Sequence, residues 1–392
     1  MDTLERKVIA ALFFIFGLEI IAWVPRFPEV KDNLGLSKGQ FGTLLSASVI
    51  GSVIGLLTMG HLVHRYGARM ILTLSSTTLF ISLIVLVQLT NPWQFLLCNV
   101  VFGGSISAFH ISVNGQAFHE QEKTSDKLIP RFHGYWALGA VLTSIISGFL
   151  VGHVSLTTDI YVVAISCYLF KLILIHKIAP SLIKGNKQRN SEYGMKTLFT
   201  SFSIDRLVTM GLICAVMVEL ATGDWATIFS KEDLHMSPGV STIPYILFMS
   251  AMILGRLGVH RFLHRIKLDV IARKSAIAGG AISIASILLA VHVSKSSPTL
   301  GFSIYCFGAF AAGLGSSFLT PSFMDAARGR SKAPSSVVIG QLGVINTLLI
   351  FMFKTIIAWT AQLTSIAIAL LIPSTLLILA SLATKALKEV KN

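Results

Sequence analysis

Long runs of apolar residues, broken by short polar stretches, make up most of this chain. A helix needs about 20 apolar residues to cross the hydrocarbon core of a bilayer. The pattern predicts an all-α membrane protein with twelve transmembrane helices, placed at 8–24, 40–59, 69–90, 94–117, 133–151, 159–179, 207–230, 240–259, 270–292, 299–321, 335–358 and 364–385.

The longest polar stretch divides these spans into six and six. It runs from 180 to 206 and is rich in Lys, Arg, Asn and Gly. We therefore expect an N-terminal six-helix bundle at 1–179, a cytoplasmic linker at 180–206 and a C-terminal six-helix bundle at 207–392.

Composition excludes the soluble class. Only 13% of the residues are charged, 53% are hydrophobic, and the mean hydropathy is +0.74. A soluble globular domain carries about 25% charged residues. The composition is therefore expected to be that of a membrane protein.

The net charge of +14 predicts the orientation. With the N-terminus placed inside, 25 of the 32 Lys and Arg residues fall in inner loops and tails, and five fall in outer loops. This bias predicts a multi-pass protein of the cytoplasmic (inner) membrane with both termini in the cytoplasm. Basic loops facing an anionic leaflet explain the charge better than nucleic-acid binding does, so no nucleic-acid partner is expected.

Three carboxylates lie well inside predicted spans, away from the span ends: Glu19 in the first, and Glu219 and Asp224 in the seventh. Such groups are costly in hydrocarbon and normally face a water-filled cavity or a partner. Glu219 lies roughly 18 Å into its span, near the midplane, and Asp224 lies about 140° further round the helix. Glu19 and Glu219 are candidate proton sites, with a cationic substrate or a structural basic partner as alternatives. Asp224 is either a gating acid or an outer-rim acid in water.

Each of the other polar and aromatic residues in the spans has two possible roles. His110 either binds substrate or satisfies a buried hydrogen bond, and Asn346 either holds substrate or joins helices. Lys354 either snorkels to the interface or is the counter-charge of an acid in span 7. The tryptophans either contact substrate or anchor the membrane boundary. The candidate substrate- and proton-binding residues are Glu19, Trp23, His110, Asn114, Glu219, Asp224, Trp225, Tyr305 and Asn346.

Several signatures of other protein classes are missing from the sequence. Val8–Val24 lacks a small-residue cleavage site, so it is expected to remain as the first span. The four cysteines have neither metal-site nor disulfide spacing. With no phosphate loop and no nucleophile beside a base, we expect no cofactor, no metal and no enzymatic activity.

Two basic segments echo each other about half the chain apart. They are Gly60–Arg69 and Gly255–Arg265, both predicted to be tight inner turns. The first resembles the loop motif G-x-L-x-D-R-x-G-x-R of the major facilitator superfamily, with His64 in place of the Asp; His260 stands at a similar place in the second. Four blocks resemble the branch of this superfamily that contains MosC and YbjJ, which is distantly similar to fucose permease: Asn114–Glu120, Arg131–Gly139, Glu219–Trp225 and Pro334–Gly343.

The resemblance implies the fold of that superfamily, with spans 1, 4, 7 and 10 lining a cavity and with alternating access. It implies a secondary active transporter, proton-coupled and monomeric, whose partners are protons and a small polar organic solute such as a sugar or sugar derivative. Two alternatives remain open: a proton antiporter that exports drugs or metabolites, and a transporter-like sensor that binds ligand without transport.

The resemblance also implies a charged latch at the cytoplasmic gate. Histidine changes charge near neutral pH. We therefore hypothesise that His64 and His260, which stand where an Asp is common, make this latch sensitive to pH. The candidate gate residues are His64, Arg65, Arg69, Glu120, Arg131, His133, His260 and Arg261.

Overall fold

A computed structural model describes residues 3–124, 128–185, 205–263, 265–330 and 335–388, and it contains no strand within them. This part of the chain divides into two compact units. The first holds 3–36 and 44–185, and the second holds 37–43 and 205–388.

Helices before the linker form the first unit, apart from the start of α3. Short 3₁₀ turns lie at Val24–Arg26 and Ala179–Ser181. The helices are α1 (Leu4–Ile21), α2 (Phe27–Asn33), α3 (Lys38–Ser46), α4 (Ser48–Tyr66), α5 (Ala68–Leu86), α6 (Pro92–Glu122), α7 (Ile129–Leu150) and α8 (Leu156–Lys177).

Helices after the linker form the second unit. Two 3₁₀ turns, Val240–Thr242 and Thr384–Leu387, accompany them. The helices are α9 (Arg206–Glu232), α10 (Ile243–Leu263), α11 (Leu268–Ser294), α12 (Pro298–Ser316), α13 (Leu319–Gly329), α14 (Ser335–Leu363) and α15 (Ile366–Ala383).

Twelve membrane-spanning segments are confirmed by length and hydropathy within the described residues. The prediction of tight turns at the two basic segments is wrong, because most of both segments is helical. Helix α4 continues to Tyr66 and α10 to Leu263. Basic side chains are favourable at a helix C-terminus, so they do not end the first helix. Gly67 does, with a φ of 86° that side-chain-bearing residues rarely adopt.

The two units repeat one pattern of helix pairs. In the first unit α1 packs on α7 and α8, α4 packs on α6, and α5 packs on α6 and α8. In the second unit α9 packs on α14 and α15, α10 packs on α12, and α11 packs on α12 and α15. The weak echo in the sequence therefore corresponds to a structural repeat of six spans.

Glycines allow the closest of these helix contacts. A Cβ added at Gly51 of α4 would lie 1.8 Å from the carbonyl oxygen of Val100 on α6. A Cβ at Gly139 of α7 would lie 2.0 Å from the carbonyl oxygen of Phe14 on α1. Small residues at helix interfaces in membranes let backbones approach in this way.

Residues 37–43 belong to the second unit although α3 precedes α4 in the chain. Lys38 Nζ lies 3.4 Å from Glu232 Oε2, and Trp359 Nε1 donates to Thr43 Oγ1 at 3.2 Å. The first turns of the second span are thus held by residues from α9 and α14.

The start of the linker is attached to the first unit. The Ala68 N–H donates to the Ile183 carbonyl oxygen at 2.9 Å, and the Ile183 N–H donates to Gln116 Oε1 at 3.0 Å. Gln116 Nε2 in turn donates to the Ser181 carbonyl oxygen at 3.0 Å. These bonds hold the stretch after α8 against the turn between α4 and α5.

Asp205 begins the second unit as the N-cap of α9. Its Oδ1 accepts from the backbone N–H of Leu207 at 2.9 Å and of Val208 at 3.3 Å, and Arg330 Nε donates to its Oδ2 at 2.5 Å. Partial burial alone would raise the pKa of Asp205, but these hydrogen bonds outweigh it and hold the pKa below the usual value.

Candidate functional site

Each unit contains a polar cluster built around a carboxylate on its first long helix. In the first unit this acid is Glu19 of α1, which lies on a buried face of the helix with Phe16, three residues earlier. The buried Trp23 follows just after the end of α1. Helical periodicity thus turns an acid among aromatic residues toward the interior of the unit.

Glu19 forms a buried ion pair with Lys171 of α8. Lys171 Nζ donates to Glu19 Oε2 at 2.5 Å, and both side chains have no exposed surface. The ammonium also lies 4.8 Å from the centre of the Phe109 ring, a cation–π distance. Within the described residues Glu19 Oε1 is buried without a hydrogen-bond partner. This oxygen therefore has the capacity to bind a proton or to accept a hydrogen bond.

A second polar group lies beyond an aromatic layer in the same unit. His133 Nε2 and Asn114 Oδ1 are 3.2 Å apart, and the rings of His110 and His133 meet edge to face at 5.9 Å. Phe16 joins this group to the ion pair, because it contacts Phe109 at 4.8 Å and His110 at 6.2 Å between ring centres. Predicted residues from α1, α6 and α7 therefore belong to one cluster.

Glu219 of α9 is the more accessible acid of the second unit. Its Oε2 lies 3.8 Å from Arg256 Nη2, and 22% of its side chain is exposed. Arg256 also donates from Nε to the Ser317 carbonyl oxygen at 2.8 Å. The guanidinium is thus positioned by the backbone, while its contact with the carboxylate is long.

Asp224 pairs with Lys354 rather than with the base beside Glu219. Lys354 Nζ lies 2.8 Å from Asp224 Oδ2, and both side chains are largely buried. This contact identifies Lys354 as a counter-charge, one of the two interpretations left open by the sequence. It also fits the angle between the two acids on α9, which directs them to different partners.

The aromatic and amide candidates are buried in their own units. Trp23 and Trp225 are 4% and 2% exposed, and Tyr305 meets Phe229 edge to face at 4.7 Å. Asn346 donates to the Leu342 carbonyl oxygen at 2.9 Å, and its Oδ1 is buried with no partner in the described part of the chain. Asn346 therefore keeps an acceptor free for a ligand or a water molecule.

The predicted gate residues are only partly brought together. Glu120 is buried and pairs with Lys123 at 2.5 Å, while His133 lies with Asn114. Arg131 lines a cavity with Arg6 and Lys7, and Arg65 lies over the Tyr66 ring at 5.3 Å. His64 and Arg69 lie near the end of α4 and at the start of α5. The side chains of His260 and Arg261 lie outside the described residues.

Two partners were missed by sequence reasoning. Lys171 is a lone base within an apolar span, and that exception to the charge pattern was the available signal. The charge pattern assigns Arg256 to an inner loop, whereas α10 carries it within the helix.

The chemistry available in these clusters is ionic and hydrogen-bonding. Glu219 has exposed surface and a long contact with Arg256, so it can exchange this partner for a proton or a cation. Glu19 and Lys171 have no exposed surface. No group of three or more His, Cys, Asp or Glu residues that could hold a metal occurs among the described residues.

Comparison with known proteins identifies the family. The sequence profile of the Major Facilitator Superfamily matches residues 9–353. An uncharacterized MFS-type transporter of Yersinia pestis is 26% identical over 91% of this chain and 89% of its own length. Membrane protein MosC of Rhizobium meliloti is 25% identical over 66% of this chain and 62% of its own. Multidrug resistance protein MdtG of Klebsiella pneumoniae is 26% identical over 62% of this chain and 63% of its own.

Solved transporter structures share the fold of this chain. A variant of the nucleoside transporter NupG superposes with a TM-score of 0.76, at 14% identity, over 98% of this chain and 100% of that one. A D-xylose-proton symporter gives a TM-score of 0.68, at 13% identity, over 97% and 96%. Likeness at such identity concerns the fold alone, and it confirms the predicted fold.

Proposed function

Because the chain belongs to the major facilitator superfamily, we propose that this multi-pass membrane transporter is a secondary active transporter of a small polar organic solute. It works by alternating access, is coupled to protons, and acts as a monomer in the cytoplasmic membrane with both termini in the cytoplasm. Sugars and sugar derivatives are the favoured substrates.

One observation carries the proposal: the first long helix of each unit bears a carboxylate that is paired with a base from a later helix of the same unit. Glu19 pairs with Lys171, and Asp224 pairs with Lys354. Buried ion pairs such as these could by themselves have a purely structural role. Glu219 adds a carboxylate with a long contact to Arg256 and some exposed surface, so a proton can reach it.

The roles of the three acids follow from their accessibility. We assign proton coupling to Glu219, because exchange with water needs exposure and a partner that can be released. Glu19 has no exposed surface, so it orders α1 against α8 in the described arrangement. Asp224 is intermediate in exposure and fixes α9 against α14 through Lys354.

The favoured substrate class is supported by neutral polar groups beside aromatic rings. Asn114, His110 and His133 present hydrogen-bonding groups, with Phe16 and Phe13 beside the imidazoles. Hydroxyl-rich solutes are bound by hydrogen-bonding groups of this kind, while the buried Phe13 and Phe16 rings pack against the imidazoles. The related folds of a nucleoside transporter and a D-xylose-proton symporter support the same class by analogy.

The first experiment is a ligand search followed by a flux assay. Thermal shifts of the purified protein over sugars, nucleosides, amino acids and organic cations would identify ligands. Hits would then be tested in proteoliposomes with an imposed proton gradient. We expect gradient-driven accumulation of a neutral polar solute. Binding without accumulation would favour the sensor and contradict transport.

The variant Glu219→Gln should lose accumulation driven by the proton gradient and retain exchange of solute without a gradient. An amide keeps the shape of the carboxylate and removes its proton exchange. Both assays use radiolabelled solute in the same proteoliposomes. Asp325→Asn is the matched control, because Asp325 is an exposed acid of the second unit. Wild-type accumulation by Glu219→Gln would remove this residue from coupling.

Export is the second candidate function, and the similarity to multidrug resistance protein MdtG favours it. A proton antiporter would expel a solute as protons enter. Reversing the imposed gradient in the flux assay separates the two directions, since an exporter accumulates solute only when protons leave the vesicle interior.

A further inference from the structure

A cavity of about 410 Å³ opens between the first turns of α1 and α7. Arg6 and Lys7 of α1 and Arg131 of α7 supply three cationic side chains to it, and none of its lining residues, all of which are described, is acidic. A Tyr135 hydroxyl lies one helical turn past Arg131. Both helices begin here, so the cavity is at one end of the membrane-spanning region.

The remaining wall of this cavity is apolar. Ala10, Ala11 and Phe14 line it from α1, and Phe132 and Leu138 line it from α7. Alanines on α1 leave a groove that larger side chains would fill. A free inorganic anion gains nothing from contact with apolar side chains, whereas an amphiphile with a charged head group can bury its apolar part against them.

An exposed apolar strip continues from the cavity along α7. Leu138, Leu142, Ile146 and Phe149 recur at spacings of three and four residues, so they share one face of the helix. Their exposed fractions lie between 39% and 77%. The strip extends roughly 16 Å at 1.5 Å per residue, enough for much of an acyl chain.

We propose that this cavity binds an anionic phospholipid, with its phosphate among Arg6, Lys7 and Arg131 and an acyl chain along the α7 strip. Basic pockets at the cytoplasmic ends of membrane helices suit anionic headgroups. The proposed orientation places this end in the cytoplasmic leaflet. The inference does not depend on which solute the protein transports.

The test is lipid binding by the full-length protein in detergent, measured by native mass spectrometry and by thermal shift. Phosphatidylglycerol is the probe, phosphatidylcholine the uncharged comparison, and inorganic phosphate tests whether the headgroup charge suffices. We expect one phosphatidylglycerol to bind and to raise the melting temperature, with little effect of phosphatidylcholine or phosphate. Equal effects of phosphate would overturn the assignment to lipid.

Two variants locate the site. Arg6→Gln/Lys7→Gln/Arg131→Gln should weaken phosphatidylglycerol binding on the order of a hundredfold, at about fivefold for each basic residue. The control Arg265→Gln/Lys267→Gln/Arg273→Gln removes three exposed charges from the second unit and should bind as the wild type does. Ala11→Trp fills the groove without changing charge and should also lose binding. Undiminished binding by both site variants would refute the proposal.

Discussion

At the scale of single residues, the fully buried acid of α1 has a basic partner from another helix. Glu19 and Lys171 are both fully buried and joined at 2.5 Å. Desolvation of two ions is expensive, and their attraction offsets it only when geometry and hydrogen bonding are good. A membrane-spanning chain therefore tolerates these charges as pairs much better than singly.

Neutralising one member of this pair should destabilise the protein more than neutralising both. We expect Lys171→Met to cost about 3–5 kcal/mol, because it leaves the Glu19 carboxylate buried without its counter-charge. Glu19→Gln/Lys171→Met should recover most of that loss. Melting temperatures of the purified variants in one detergent provide the measurement, and a double variant less stable than Lys171→Met would contradict the argument.

The acids of the candidate site could be predicted from the sequence, but their partners could not. Glu19 and Glu219 are conspicuous because each interrupts an apolar run. Lys171 is 152 residues from Glu19 in the chain. Which base pairs with which acid depends on how each helix is rotated about its axis and on which helices are neighbours. The periodicity of the sequence within one helix gives no information about either.

At the scale of helices, the distance between two packed helices is set by glycines whose α-carbons contact the backbone of the neighbouring helix. Gly51 meets α6 in this way, whereas nothing lies within 4 Å of the position that a Cβ would occupy at Gly60 on the same helix. The two positions therefore form a natural comparison.

Gly51→Ala should be strongly destabilising and Gly60→Ala should not. The added methyl group at Gly51 would force α4 and α6 apart, and overpacking of this kind costs about 1–3 kcal/mol or more. At Gly60 the alanine gains helix propensity, worth up to about 1 kcal/mol. Thermal unfolding of both variants checks this, and similar losses at the two sites would count against close packing of α4 on α6.

The N-cap of α9 should make stability depend on acidic pH. Since the folded-state pKa of Asp205 lies below its usual 3.8, the ionised form stabilises the fold above that value, and this contribution is lost as the pH falls through the folded-state pKa. Asp205→Asn keeps a capping oxygen but loses the pair with Arg330. Its deficit in melting temperature should be full at pH 7 and shrink below about pH 4.

A second variant separates capping from charge. Asp205→Ala removes the cap at every pH and should cost about 1 kcal/mol beyond Asp205→Asn. A deficit of Asp205→Asn that is the same at neutral and acidic pH would show that the charge of this residue contributes nothing.

Helix ends were less predictable than helix positions. The apolar runs located all twelve spans, but the segments Gly60–Arg69 and Gly255–Arg265 resemble turns because they are basic and contain glycine. Only the backbone conformation at Gly67 ends α4, and composition does not distinguish that glycine from Gly60 within the helix.

At the scale of the whole molecule, six spans are repeated with the same neighbours. In the sequence, only the two similar basic segments indicate this repeat. The same helices pack together in both units, but the residues at their contacts differ. The charge bias of the loops, in contrast, is a property of the entire chain and can be counted directly.

That bias makes a testable statement about topology. Ser296→Cys and Lys267→Cys lie beyond opposite ends of α11, in a chain whose native cysteines would first be replaced. A membrane-impermeant maleimide should label Ser296→Cys in intact cells and Lys267→Cys only after permeabilisation. The opposite pattern would invert the orientation.

The hydrogen bonds at Ile183 and Asp205 determine where this polypeptide can be severed for co-expression of its halves. A break before Ile183 would leave Ala68 and Gln116 without the Ile183 backbone groups they bind, and a break after Asp205 would remove the acceptor from the first turn of α9. Split versions intended to reassemble should therefore be divided between Gly185 and Asp205, so that each fragment retains its own terminal anchor.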